Sequence, residues 1–183
     1  NIGIMYIALG AYDDAKTYLQ QAATLMERID VPSERADMLH NLAEVSVKTG
    51  EYETALEQYL KALEMRRKIG DRRGAAIESY NLGTLFEYQG RYGAAVQSKA
   101  DALKTFRELD DRGEWLPRLL ASYGSALAQA GQFDQAQKML TEALPIARTM
   151  KNEGLIARIA TTQGDVLYYK GDFAGARKEY QDA

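Results

Sequence analysis

The sequence has no cysteine and one histidine among its 183 residues. Without cysteine the chain lacks a disulfide framework, a thiolate nucleophile and a zinc site of the cysteine type. A lone histidine, His40, has no second imidazole with which to share a metal, so we interpret it as a polar residue lining a groove. Loops of the G-x-x-x-x-G-K-[ST] and G-x-G-x-x-G kinds are also missing. We therefore expect no enzyme activity, no catalytic residue, no cofactor and no metal site.

Proline, long apolar runs and surplus positive charge are scarce as well. Only 3 prolines occur, and residues that favour helices abound, so the composition predicts a helical protein. No run approaches the roughly 18 apolar residues that a membrane-spanning helix needs. The formal net charge of −3 gives no basic footprint for nucleic acid. We expect a soluble, cytoplasmic protein that binds neither membranes nor nucleic acid.

A short motif recurs five times along the chain. In each copy a glycine is followed two residues later by Tyr or Phe and five residues later by Ala, as in "KTGEYETA" and "YQGRYGAA". These glycines lie 40 or 41 residues apart, at Gly10, Gly50, Gly90, Gly131 and Gly171. A period of this size, held over five copies, is typical of a stacked repeat rather than of a single closed core.

Each repeat is predicted to contain two antiparallel helices, A before the glycine and B after it. Apolar residues on both sides recur at helical spacing, and a repeat of this length leaves about 17 residues for each helix. Glycine suits the joint because helices often end in a left-handed residue. A small residue also recurs seven positions before the joint, which predicts a close crossing of helices A and B. These small residues are Gly3, Ala43, Gly83, Gly124 and Gly164.

The pattern resembles the tetratricopeptide repeat, and "NLGTLFEYQGRYGAAVQSKADAL", residues 81–103, carries it well. The matching packing positions are Leu82, Gly83, Phe86, Gly90, Tyr92, Ala95 and Ala102. The resemblance implies an all-α, right-handed α-solenoid, with one array over residues 1–183 whose first and last repeats are incomplete. The longer repeat is similar to the long-helix subclass found in Leu-Gly-Asn repeat adaptors, kinesin light chains and bacterial signalling proteins.

The resemblance also implies a function, namely a protein-interaction scaffold whose A helices line a concave groove for a peptide or protein segment. Nine residues before each joint stands a polar residue: Asn1, Asn41, Asn81, Ser122 and Thr162. Asparagine both donates and accepts hydrogen bonds, which suits a ladder that grips the main chain of an extended peptide. The same face is expected to present Asp37, His40, Glu44, Tyr80, Thr84, Tyr88, Arg118, Ser125, Arg158, Asp165 and Tyr169.

Other interpretations remain open at this point. The array could be a regulatory or sensory module of a larger signalling protein, acting by effector binding or oligomerisation. Because the outermost helices lack the polar capping face that repeat arrays need, we also expect self-association through them.

Three further features are interpreted from local sequence. The basic run Arg66, Arg67, Lys68, Arg72 and Arg73 spans a helix end, where positive charge complements the helix dipole, so we assign it to capping and solubility, with an anionic partner as the alternative. Lys99 occupies a helix B position held by Tyr59 and Leu140 in neighbouring repeats, which predicts softer packing. Trp115 is interpreted as a packing residue between repeats, with an exposed anchor as the alternative.

Overall fold

The computed structural model describes residues 2–26 and 31–181, and this part of the chain forms ten α-helices and no β-strand. Two compact units divide the helices, residues 1–89 (unit 1) and 90–183 (unit 2). Unit 1 contains α1 (Ile2–Ala8), α2 (Tyr12–Met26), α3 (Pro32–Lys48), α4 (Tyr52–Lys68) and α5 (Arg72–Tyr88). Unit 2 contains α6 (Tyr92–Glu108), α7 (Trp115–Gln129), α8 (Phe133–Thr149), α9 (Glu153–Tyr169) and α10 (Phe173–Gln181).

Within each unit, every helix packs against the next helix along the chain. In unit 1 the A helices are α1, α3 and α5, and the B helices are α2 and α4. In unit 2 the A helices are α7 and α9, and α6, α8 and α10 are B helices. The predicted all-α fold of paired helices is confirmed, whereas a single array over residues 1–183 stays a prediction.

The predicted joints coincide with the turns between helices. Gly50 separates α3 from α4 with a φ of +78°, a left-handed conformation that costs glycine little because it has no Cβ. The N–H of Glu51 then donates to the carbonyl oxygen of Ser46 at 2.7 Å, which satisfies a carbonyl at the end of α3. The remaining four joint glycines also have positive φ. The repeat length inferred from the sequence is therefore the structural repeat.

The small residues before the joints allow the two helices of a repeat to approach closely. A Cβ built on Gly124 of α7 would lie 2.8 Å from Leu140 Cγ of α8, closer than real Cβ contacts. The same crowding occurs at Gly3, where a Cβ would lie 2.6 Å from Leu19 Cγ. On the facing helix, Ala136 is completely buried. These contacts confirm the predicted close crossing of helices A and B.

Candidate functional site

The A helices of unit 1 present a mixed polar and aromatic surface, which we call the A-helix face of unit 1. Its residues are Asp37, His40 and Glu44 on α3, and Tyr80, Asn81, Thr84 and Tyr88 on α5. Tyr88 is 58% exposed, and its ring stacks on that of Tyr52 with centroids 6.1 Å apart. Glu44 and Asp37 are each about half exposed. The face therefore combines accessible carboxylates with accessible aromatic surface.

The asparagines of the predicted ladder differ sharply in their surroundings. Asn41 is only 9% exposed, so it offers little surface to a ligand on the A-helix face of unit 1. Asn81 is partly exposed, yet its side-chain nitrogen Nδ2 is buried and has no hydrogen-bond partner in the described part of the chain. Leaving a buried donor unpaired costs roughly 1–3 kcal/mol. Asn1, the first member of the ladder, lies outside the described residues.

An ionic network connects three helices of unit 1 beneath this face. Arg66, near the end of α4, donates from Nε to Glu78 Oε1 at 3.0 Å and from Nη2 to Asp37 Oδ1 at 2.7 Å. It also donates from Nη1 to Asp71 at 2.8 Å, and its side chain is only 12% exposed. The interpretation of Arg66 as a solvated capping residue is wrong, because its side chain is largely buried and pairs with three carboxylates.

His40 completes the network from α3. Its Nδ1 lies 3.0 and 3.1 Å from the two carboxylate oxygens of Glu78, whose side chain is fully buried. Burial alone lowers the pKa of His40, but the hydrogen bond and charge of Glu78, together with the charge of Glu44, outweigh it and raise this pKa above its usual range. His40 is therefore largely buried and tied to the network, and its Nε2 lies 3.8 Å from Glu44 Oε1.

Two members of the network, Arg66 and Glu78, occupy positions that are apolar in the other repeats, and this signal was present in the sequence. The counterparts of Glu78 are Met38, Leu119 and Ile159, all buried, and those of Arg66 are Met26, Phe106 and Ala147. Aligning the repeats in register would have identified two charged residues at core positions. These two charged core positions were missed because Arg66 was interpreted as part of a local basic run.

The A-helix face of unit 2 carries positive charge. Arg118 on α7 and Arg158 on α9 are exposed, and the guanidinium of Arg118 lies 3.8 Å from Glu114 in the same helix turn. The ladder positions here are already paired. Ser122 Oγ accepts a hydrogen bond from Lys99 Nζ at 2.7 Å, and Thr162 Oγ1 donates to the carbonyl oxygen of Arg158 at 2.9 Å. Neither hydroxyl resembles Asn81, whose donor is unpaired.

Lys99 and Trp115, which depart from the repeat, and Ser125, which was expected on the A-helix face, differ in their surroundings. Lys99 is fully buried and is held by Ser122, so a charged residue fills a core position. Trp115 is half-buried at the start of α7, so it is neither a fully packed residue nor a fully exposed anchor. Ser125 accepts a hydrogen bond from Gln129 Nε2 at 3.1 Å on the same helix.

The aromatic residues after the joint glycines make two kinds of ring contact. Phe173 packs back on its own helix A, with its ring edge-to-face against Tyr168, centroids 5.4 Å apart. Phe133 instead stacks on Tyr169 of the following repeat at 5.6 Å, as Tyr52 stacks on Tyr88 in unit 1. These stacks join consecutive repeats, and they leave Tyr169 67% exposed.

Within residues 2–26 and 31–181, no three His, Cys, Asp or Glu side chains are placed so that they could hold a metal ion. In the same residues, no helix combines the length and the apolar character required to cross a membrane.

Stacked helix pairs with glycine joints and an accessible A-helix surface define an α-helical repeat protein. The tetratricopeptide repeat family matches residues 34–108 and 1–29, together more than half of the chain, and the chain belongs to this family. Proteins of this family are in general non-catalytic scaffolds for protein–protein interaction, and the fold supports that broad role here.

The chain is similar to several known proteins. Tetratricopeptide repeat protein 29 of Macaca fascicularis is 27% identical over 142 residues, covering 78% of this chain and 30% of that protein. The crystal structure of BtubC from P. vanneervenii has a TM-score of 0.85 at 21% identity, covering 98% of this chain and 74% of that one. A putative kinesin light chain from Podospora anserina with nearly identical repeats has a TM-score of 0.80 at 14% identity, covering 98% and 89%. The chain thus spans under a third of its curated relative, and the structural likenesses show the α-solenoid fold.

Proposed function

We propose that the chain binds an extended peptide segment of a partner protein through its A helices, with the A-helix face of unit 1 as a principal contact. The observation that carries this proposal is the unpaired, buried Nδ2 of Asn81. Because Nδ2 has almost no accessible surface as placed, the Asn81 amide would turn outward to meet a carbonyl oxygen of a bound peptide, which supplies the missing acceptor. Because that donor is unpaired without a ligand, the hydrogen bond to the peptide is a net gain on binding.

The charges and rings around Asn81 support a particular peptide chemistry. Glu44 is about half exposed and favours a basic peptide residue on the A-helix face of unit 1, whereas Asp37, also about half exposed, is already paired with Arg66. The exposed ring of Tyr88 offers apolar surface to a neighbouring peptide side chain. On the A-helix face of unit 2, Arg118 and Arg158 favour acidic residues instead. Each face therefore selects by charge as well as through the main chain.

Replacing Asn81 with Ala is expected to weaken peptide binding by about 1–2 kcal/mol without changing the helical content. The experiment selects peptides from a random displayed library on the wild-type chain and titrates the best of them by calorimetry. The matched control is Gln20→Ala, which removes an exposed amide from the B helix α2 in the same unit. Affinity should be unchanged in the control.

Two results would contradict the proposal. Equal affinity of the wild type and Asn81→Ala would remove Asn81 from the contact, and a loss in Gln20→Ala as large as in Asn81→Ala would place the peptide on the B helices. A library that yields no peptide with measurable affinity would overturn the peptide-binding function itself.

A further inference from the structure

One interface between consecutive repeats of unit 1, that of α4 with α5, differs in kind from its counterparts. Where α4 meets α5, the facing positions hold Arg66 and Glu78, joined at 3.0 Å. At the corresponding interface in unit 2, α6 and α7 hold Phe106 and Leu119, both buried and apolar. Exchanging an apolar contact for a buried ion pair seldom adds stability, because both charges must leave water. The Arg66–Glu78 ion pair between α4 and α5 is therefore expected to have a role other than stability.

The geometry supplies such a role through His40. Glu78 is fully buried and is shared between the guanidinium of Arg66 on α4 and the imidazole of His40 on α3. A protonated imidazole donates to Glu78 and carries the charge that balances it, whereas a neutral imidazole only donates. The Glu78 carboxylate thus links α3, α4 and α5, and protonation of His40 changes the net charge around that carboxylate by one.

We propose that the junction of α3, α4 and α5 is a proton-operated switch, in which protonation of His40 tightens the contact of α3 with α5 and its deprotonation loosens that contact. The switch is a property of unit 1 alone and does not depend on the proposed peptide. Protonation of His40 also changes the surface charge, because it adds one positive charge beside Glu44 on the A-helix face of unit 1.

The described residues place charged groups around His40 from three helices. From α5 it faces Glu78, from α4 Arg66 and the edge of the Tyr59 ring, with centroids 6.0 Å apart, and from its own helix Glu44. Through Arg66 the network extends to the carboxylates of Asp37 and Asp71. Arg66 lowers the pKa of His40, but the two glutamates act against it more strongly.

The direction of the pH dependence follows from the raised pKa of His40. Below the usual value of about 6.5, His40 is protonated in both the folded and unfolded chain, and the stabilisation is complete. Between that value and the higher pKa of the folded protein, only the folded chain keeps the proton. Stability of the junction is therefore lost as the pH rises through this window.

The presence of one histidine makes the test direct, because every imidazole signal belongs to His40. Nuclear magnetic resonance of the full chain is recorded as the pH is raised from 5 to 9, and hydrogen-exchange protection of the α4 and α5 amides is measured over the same range. We expect His40 to titrate above about 6.5. Protection in α4 and α5 should fall by at most about tenfold per pH unit across that titration, after correction for intrinsic exchange.

Internal and variant controls separate the switch from general pH effects. Amides of α8 in the same sample should show no such step. In Glu78→Gln the pKa of His40 should fall to about 6.5 or lower. A double variant, Arg66→Phe with Glu78→Leu, copies the apolar Phe106–Leu119 interface of unit 2. It should remove the pH-dependent fall in protection while keeping the helices folded. A wild-type His40 that titrates at or below 6.5, or a step that persists in the double variant, would overturn the proposal.

Discussion

Replacing Arg66 with Ala is expected to destabilise unit 1 by about 3–5 kcal/mol. The substitution removes the guanidinium and leaves the fully buried carboxylate of Glu78 with His40 as its remaining ionic partner. Breaking a buried ion pair on one side costs more than the pair contributes, because the surviving charge stays in a poorly solvated site. Chemical denaturation followed by circular dichroism measures the change.

The neighbouring Arg67 provides a matched control for this experiment. It is the same residue type one position along α4 and is exposed. Arg67→Ala should change the stability by less than about 0.5 kcal/mol, as is usual for surface substitutions. If Arg66→Ala and Arg67→Ala had equal effects, the basic run would be a solvated surface after all, and the network would carry no weight in the fold.

Replacing Gly124 with Val is expected to destabilise unit 2 by about 1–3 kcal/mol, the usual range for overpacking a core. The first added carbon would lie 2.8 and 2.9 Å from two carbons of the Leu140 side chain and 3.4 Å from the backbone oxygen of Ala136. Since that oxygen belongs to the main chain of α8, α7 would have to move away from α8. Thermal unfolding of the variant measures the loss.

Two companion variants sharpen this test. A Cβ on Gly93, in the first turn of α6, would meet no atom within 4 Å apart from its own turn of backbone, so Gly93→Val should leave stability within about 0.5 kcal/mol of the wild type. Adding Leu140→Ala to Gly124→Val should cost less than the sum of the two single changes, because the residues compete for one space. Strict additivity would show that Gly124 and Leu140 do not limit the approach of the helices.

The parts of the fold that repeat were predictable from the sequence. The joint glycines and the small residues recur in fixed register, and each has a local physical reason that holds in every copy: a left-handed turn at Gly50, or a missing side chain at Gly124. Repetition turns a weak local preference into a strong signal. The helix lengths, the joints and the close crossings follow from it.

The features that break the repeat were not predictable in the same way. Arg66 was assigned from its sequence neighbours, although its partner Glu78 is twelve residues away on the next helix. Asn41 and Asn81 hold the same register position, yet one is buried and the other is partly exposed with an unpaired donor. Their difference depends on neighbouring side chains rather than on register. Function therefore has to be sought where the copies differ.

The most direct test of peptide binding by the A helices is to map where a selected peptide contacts the chain. A peptide from the displayed library is titrated into the isotope-labelled protein, and changes in backbone amide resonances are followed by nuclear magnetic resonance. We expect the largest changes on α3 and α5, around His40, Glu44, Asn81 and Tyr88, with little change on the exposed side of α2. Changes concentrated on the B helices, with α3 and α5 unaffected, would contradict the proposal that the A helices line the binding site.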